Sequence, residues 1–154
     1  YDTLSNYLGY IEEAFLAYKT ERYNIKGKDV VAGNCKYYLN DLSFKNFLYP
    51  GFAYGVGYLL ENAVYLELRR LGYIVYTGSF RDKEVDFVAM KDDRVIYLQA
   101  TYMLETAQTM EREYAPLLTI GDNYEKYVVS MDEVQFPSNE GVRHIQAWNL
   151  KEIL

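Results

Sequence analysis

Two runs of alternating apolar residues, Glu84 to Met90 and Arg94 to Tyr102, are joined through Asp92-Asp93, and this constrains the chain more than any other feature. Acidic turn residues between alternating runs predict a tight antiparallel hairpin. A turn centred on Asp92-Asp93 sets the register, so that Asp86 stands across from Gln99. Cross-strand neighbours of this kind hold their Cβ atoms about 5 Å apart. Strict alternation puts Val85, Phe87 and Ala89 on one face, with Glu84, Asp86 and Val88 on the other. Gln99 and Thr101 share a face with Val95 and Tyr97. A carboxylate on the same face as Val88 is costly unless a cation or a hydrogen-bond donor meets it.

The remaining elements arrange themselves around this hairpin. Leu4, Leu8, Ile11, Phe15 and Tyr18 recur at spacings of three and four, which predicts a helix over 3 to 18 with Thr3 as its cap. Residues 19 to 40 read as a β-ribbon, with Tyr23-Asn24-Ile25 and Lys36-Tyr37-Tyr38-Leu39 flanking a stretch that contains Gly27 and Gly33. Asn40-Asp41 ends the ribbon and Pro50-Gly51 is a break, so a boundary is expected within 42 to 52, between units 1 to 45 and 46 to 154. A second helix is expected from Gly55 to Leu71, striped by Leu60, Ala63, Val64 and Leu68 and stopped by Gly72. A strand at Tyr73 to Thr77 precedes the hairpin. A helix from Glu105 to Leu118, kinked or ended by Pro116, follows it. Strands at Lys126 to Ser130 and Arg143 to Trp148, then a helical tail from Leu150 to Leu154, complete the pattern. Helix, three strands, helix and two strands give an α/β (α+β) fold with a mixed sheet and helices on its faces.

Composition removes several function classes. Cys35 is the single cysteine and His144 the single histidine, which excludes an intrachain disulfide and a Cys/His zinc site and argues against a His-dependent triad. Cys35 reads as inert, and His144 as a packing or edge residue. The longest apolar stretch, near Gly51 to Leu60, is too short to span a bilayer, and no charged-then-apolar leader opens the chain, so a cytoplasmic protein without a membrane partner is expected. The first residue, Tyr1, suggests a piece of a longer protein. The net charge of −6 argues against non-specific nucleic-acid coating. Residues 19 to 28 nevertheless carry Lys19, Arg22, Lys26 and Lys28 against Glu21, which fits either an exposed hairpin or a phosphate-touching wing. The 18 tyrosines suit half-buried strands and interfaces.

Glu61, Asp86 and Gln99 are the candidate site residues. Glu61 borders the apolar stripe of the second helix, beside Val64, Tyr65 and Leu68. Glu61 also reads as a helix-surface charge, and Glu67, which borders the same stripe, is easily confused with it. Two oxygen ligands opposed across a hairpin, with a third from a packed helix, suit a hard divalent cation such as Mg²⁺, which activates water and polarises phosphoryl groups. Gln99 also reads as a structural hydrogen-bonding residue, and Glu111-Arg112-Glu113 as a solvated helix face.

Glu61 on a helix, then Glu84-Val85-Asp86-Phe87, then Tyr97-Leu98-Gln99-Ala100-Thr101 resembles the PD-(D/E)xK nuclease superfamily. That resemblance implies a restriction-endonuclease-like core in which Glu61, Asp86 and Gln99 hold Mg²⁺ or Mn²⁺. Gln99 stands at the Asp/Glu position, and Thr101 stands where the superfamily has its lysine, a degenerate position that leaves Lys83 or Arg112 to bring the charge. Lys36-Tyr37-Tyr38-Leu39-Asn40-Asp41, Leu60 to Leu68, Glu84 to Val88, Leu98 to Tyr102 and Glu111-Arg112-Glu113 resemble the C-terminal domain of unknown function of prokaryotic AAA+-type predicted ATPases. This second resemblance covers nearly the whole chain. It implies a preceding ATPase module as partner and makes residues 1 to 45 a winged-helix remnant. The expectation is a catalytically impaired accessory domain acting in protein or DNA interaction; the alternative is an active Mg-dependent DNA nuclease. No Gly-x-x-x-x-Gly-Lys-Ser/Thr sequence occurs, so no ATP site of that kind is expected.

Overall fold

A computed structural model describes residues 2–51 and 55–154. The elements are α1 (Asp2–Glu13), β1 (Ala17–Asn24), β2 (Asp29–Leu39), α2 (Ser43–Leu48), α3 (Val56–Arg70), β3 (Ile74–Phe80), β4 (Lys83–Lys91), β5 (Arg94–Ala100), α4 (Ala107–Leu118), β6 (Glu125–Ser130), β7 (Val142–Gln146) and a closing 3₁₀ turn (Ala147–Glu152). The seven strands form one mixed sheet in the order β2-β1-β3-β4-β5-β6-β7. The ribbon β1–β2 is antiparallel, and β1 runs parallel to β3, so the ribbon is continuous with the sheet. The pairs β3–β4 and β4–β5 are antiparallel, and β5–β6 and β6–β7 are parallel.

The hairpin β4–β5 has the register that its turn predicts: Phe87 opposes Leu98, and Lys91 opposes Arg94. Asp92 takes φ 52°, a left-handed conformation that a short polar side chain tolerates. Each sheet face carries its own core. Leu60, Val64, Tyr65 and Leu68 of α3 pack on Tyr38, Val75, Phe87, Ala89 and Leu98. Tyr114 and Leu117 of α4 pack on Val85, Val88, Tyr97 and Val128.

Strict alternation fails at one place in β4. Val85 and Val88 lie in the α4-side core, whereas Phe87 and Ala89 lie in the α3-side core. The cause is a β-bulge: Tyr76 opposes Val88, but Gly78 opposes Val85, so Asp86 and Phe87 together face Thr77. A bulge of this kind re-aims side chains. Asp86 therefore does not share the Val88 face; it turns toward α3 and the ribbon, as its contacts below show.

Other boundaries also differ from the sequence expectation. The first helix ends at Glu13 rather than continuing to residue 18. Phe15 adopts φ 56°, the Phe15 amide donates to Glu12 O and the Leu16 amide to Ile11 O, which is a Schellman termination written without glycine. Tyr18 then belongs to β1. The segment expected to be a boundary holds the short helix α2, while its last residue, 52, lies outside the described residues, as do 53 and 54 beyond it. The last strand stops at Gln146, and the tail is a 3₁₀ turn that begins at Ala147. β5 ends at Ala100, two residues before the expected Tyr102. Among the described residues, no helix is long and apolar enough to cross a membrane.

Candidate functional site

Glu61 sits one turn into α3 on the side that faces the ribbon, and its neighbour Asn62 sets the approach of that helix. The Asn62 Nδ2 donates to Leu39 O at 2.9 Å, and the Leu39 amide returns a bond to Asn62 Oδ1 at 2.8 Å. This two-way clasp brings Lys36 and Tyr38, which alternate onto one face of β2, against Glu61. Tyr38 donates its hydroxyl to Glu61 Oε1 at 2.7 Å, and Lys36 Nζ donates to the same oxygen at 2.9 Å.

Lys36 is the hub of the site. Its ammonium lies 2.9 Å from Glu61 Oε1, 2.9 Å from Glu84 Oε1 and 3.5 Å from Asp86 Oδ1. Arg22 of β1 takes the other oxygen of Glu84. Asp86 is only 8% exposed, and its Oδ2 accepts the Ala100 amide at 2.9 Å. Gln99 Oε1 accepts the Asp86 amide at 3.2 Å. Desolvation and the neighbouring Glu61 push the Asp86 carboxyl up to about 7, against the pull of Lys36 and the Ala100 amide. Burial alone would lower the Lys36 ammonium, but Asp86 and Glu61 outweigh it and hold the group above the ordinary lysine value. Burial, then the Glu61 charge, raises the Tyr38 hydroxyl, which stays a donor.

All four residues singled out in the sequence line one cavity of about 290 Å³: Glu61 from α3, Asp86 from the bulge, and Gln99 and Thr101 from the end of β5 and just beyond. Glu113 and Arg112 of α4 close its other side, with Arg112 bound to Glu113 Oε1 at 2.6 Å. Thr101 is buried and its amide donates to Val129 O at 3.0 Å. Lys83 lines a separate apolar cavity beside α4, with Met110 and Tyr114. Sequence reasoning missed Lys36, Tyr38, Glu84 and Glu113. The alternation Lys36-x-Tyr38 and Glu84-x-Asp86 was the available signal, because each pair falls on one strand face.

The donors expected for Mg²⁺ or Mn²⁺ do not fit a divalent cation as they are arranged. Gln99 has turned its carbonyl to a backbone amide, Asp86 has given one oxygen to another, and an ammonium already lies among the free oxygens. No group of three His, Cys, Asp or Glu side chains suited to a metal ion occurs among the described residues.

A second polar cluster is built around His144, which is 2% exposed on the edge strand β7. His144 Nδ1 accepts the Phe136 amide at 3.2 Å, so Nε2 carries the proton and donates to Ser130 Oγ at 2.8 Å. Ser130 in turn donates to Asp132 Oδ2 at 2.7 Å. A serine nucleophile needs the reverse, with histidine accepting the hydroxyl proton. This buried cluster is therefore structural: Asp132 also accepts the Leu104 amide at 2.8 Å and ties the approach to α4 to the end of β6.

Over 128 residues, 83% of its length, the chain is 37% identical to an uncharacterized protein of Haemophilus influenzae. Over 116 residues, 73% of its length, it is 31% identical to the uncharacterized protein MJ1544 of Methanocaldococcus jannaschii. The chain covers 31% and 25% of those two proteins, so it spans about a third of their length or less. No protein-family profile matches the chain. No solved structure matches it.

Proposed function

We propose that the chain is a nuclease-like accessory domain of an AAA+-type ATPase, built on a restriction-endonuclease-like core, that has kept the architecture and lost the cleavage chemistry. It acts through interaction with the ATPase module and with a protein or nucleic-acid partner. One observation carries this reading: a helix carboxylate, a strand carboxylate and the Gln99–Thr101 pair line one cavity, and the protein's own Lys36 pairs with both of those carboxylates. Hydrolysis of a phosphodiester needs a free hard cation or an equivalent electrophile beside the attacking water. Here the oxygens that would hold it are bonded to Lys36, Tyr38 and two backbone amides. The similar proteins are at least three times as long as the matched segment, which leaves room for an ATPase module.

The test is incubation of the purified chain with supercoiled plasmid and millimolar Mn²⁺. The reading expects nicking no faster than that of Asp86→Ala. A second reading, an active Mg-dependent nuclease, is favoured by one observation: Lys36 brings to the site the positive charge that Thr101 does not supply. That reading expects nicking that Asp86→Ala and Glu61→Ala both abolish.

A further inference from the structure

We infer that Lys36 is a built-in cation that takes the place of a metal ion in the carboxylate cage and closes that cage to divalent cations. The inference rests on the non-catalytic reading above and assigns its cause to one residue outside the hairpin. Glu61, Glu84 and Asp86 come from α3 and β4, and all three direct an oxygen at the one ammonium. An ammonium offers three donors, one for each carboxylate. Arg22 supplies a second positive charge on the outer oxygen of Glu84, so three carboxyl groups face two side-chain cations.

The protein positions this lysine by construction. Between the pairs Arg22–Val31 and Thr20–Lys36 the β1–β2 register shifts, with Ala32 to Cys35 facing Glu21 alone, and Lys36 is the first residue back in register. Asn62 then fastens Leu39, three residues on, to α3. Tyr38 shares Glu61 Oε1 with Lys36 and fixes that carboxylate from the other side. A dication sharing these oxygens would sit in contact with an ammonium that its neighbours hold protonated, and like charges at that distance repel strongly. Mg²⁺ and Mn²⁺ also demand short, regular oxygen coordination, which carboxylates splayed around Lys36 do not provide.

Removing the lysine charge should therefore create a metal site. Wild type and Lys36→Met are compared by thermal shift and by isothermal titration with Mn²⁺, with Lys36→Met/Asp86→Asn as the control. Lys36→Met is expected to melt lower than wild type without metal. Millimolar Mn²⁺ should raise its melting temperature, with an affinity at least tenfold above that of wild type, and the double variant should lose the gain. Equal Mn²⁺ affinity in wild type and Lys36→Met overturns the inference, and so does failure of the folded variant to bind. Should Lys36→Met not fold, Mn²⁺ broadening of the wild-type Asp86, Gln99 and Ala100 amide signals decides: unbroadened signals uphold the inference and broadened ones overturn it. Mn²⁺ binding by wild type without nicking defeats this inference alone, whereas Mn²⁺-dependent nicking defeats the non-catalytic reading as well.

Discussion

The Asp86 amide donates to the side chain of Gln99, one step beyond the last backbone pair of the hairpin, Phe87 with Leu98. The glutamine continues the ladder where the bulge has interrupted it, and it frees the Asp86 carboxylate to face Lys36. Gln99→Leu leaves that amide without its acceptor in a mostly buried setting. A loss of about 1–3 kcal/mol is expected in urea unfolding. Hydrogen exchange at the Asp86 amide should accelerate more than at Phe87, and equal acceleration at both would show that the side-chain bond holds nothing locally.

Gly78 is the partner that the bulge requires. A Cβ there would meet Val88 Cγ2 at 2.8 Å and Val85 Cβ at 3.0 Å, because the bulge turns both valines onto the same face. Ile25 Cδ1, also at 3.0 Å, can swing aside, but the Val85 Cβ and the stiff Val88 side chain can yield only with their strand, so Gly78→Ala should cost about 1–3 kcal/mol. Chemical denaturation reads this directly, and a cost near zero would mean that the bulge shifts freely.

Asp86 gives the fold a pH dependence of unusual sign. Its folded value of about 7 exceeds the unfolded 3.8, so its contribution is fully present below 3.8 and is lost as pH rises through about 7. The stability of wild type relative to Asp86→Asn should fall across that window by a few kcal/mol at most. Parallel curves for the two proteins would place the carboxylate in solvent.

His144 acts in the opposite direction. Burial lowers its proton affinity, so its contribution is present above the unfolded value of 6.5 and is lost as pH falls from there toward the lower folded value. Protonation would place a second N–H against the Phe136 amide. Unfolding measured at pH 7 and at pH 5 should show wild type losing stability relative to His144→Asn. The reverse slope would mean that the Asp132 charge outweighs burial and the fold stabilises the imidazolium.

Much of the sheet was legible, and the reasons are local. The turn at Asp92-Asp93 prescribed a register that brought Asp86 and Gln99 together, and Gly72 at φ 88° marked the end of α3 as glycine does. The same termination at Phe15 went unread, because an apolar residue in the left-handed region also satisfies a helical stripe. The bulge was invisible for a related reason: Val85, Phe87 and Val88 suit either core, so no residue type announces the change of face. Lys36 could not be reached from the hairpin, because its place depends on Asn62 clasping a strand 23 residues earlier in the chain. Convergence of Glu61 with Asp86 followed from helix packing on the sheet; the ammonium between them followed from strand order.

A double-mutant cycle joining Lys36→Met and Glu61→Gln tests the cage most directly. If the ammonium and the α3 carboxylate form one desolvated unit with Asp86, the two changes should couple by about 1 kcal/mol or more in equilibrium unfolding. Stability losses that simply add, within roughly 0.3 kcal/mol, would mean that Lys36 and Glu61 do not share a site.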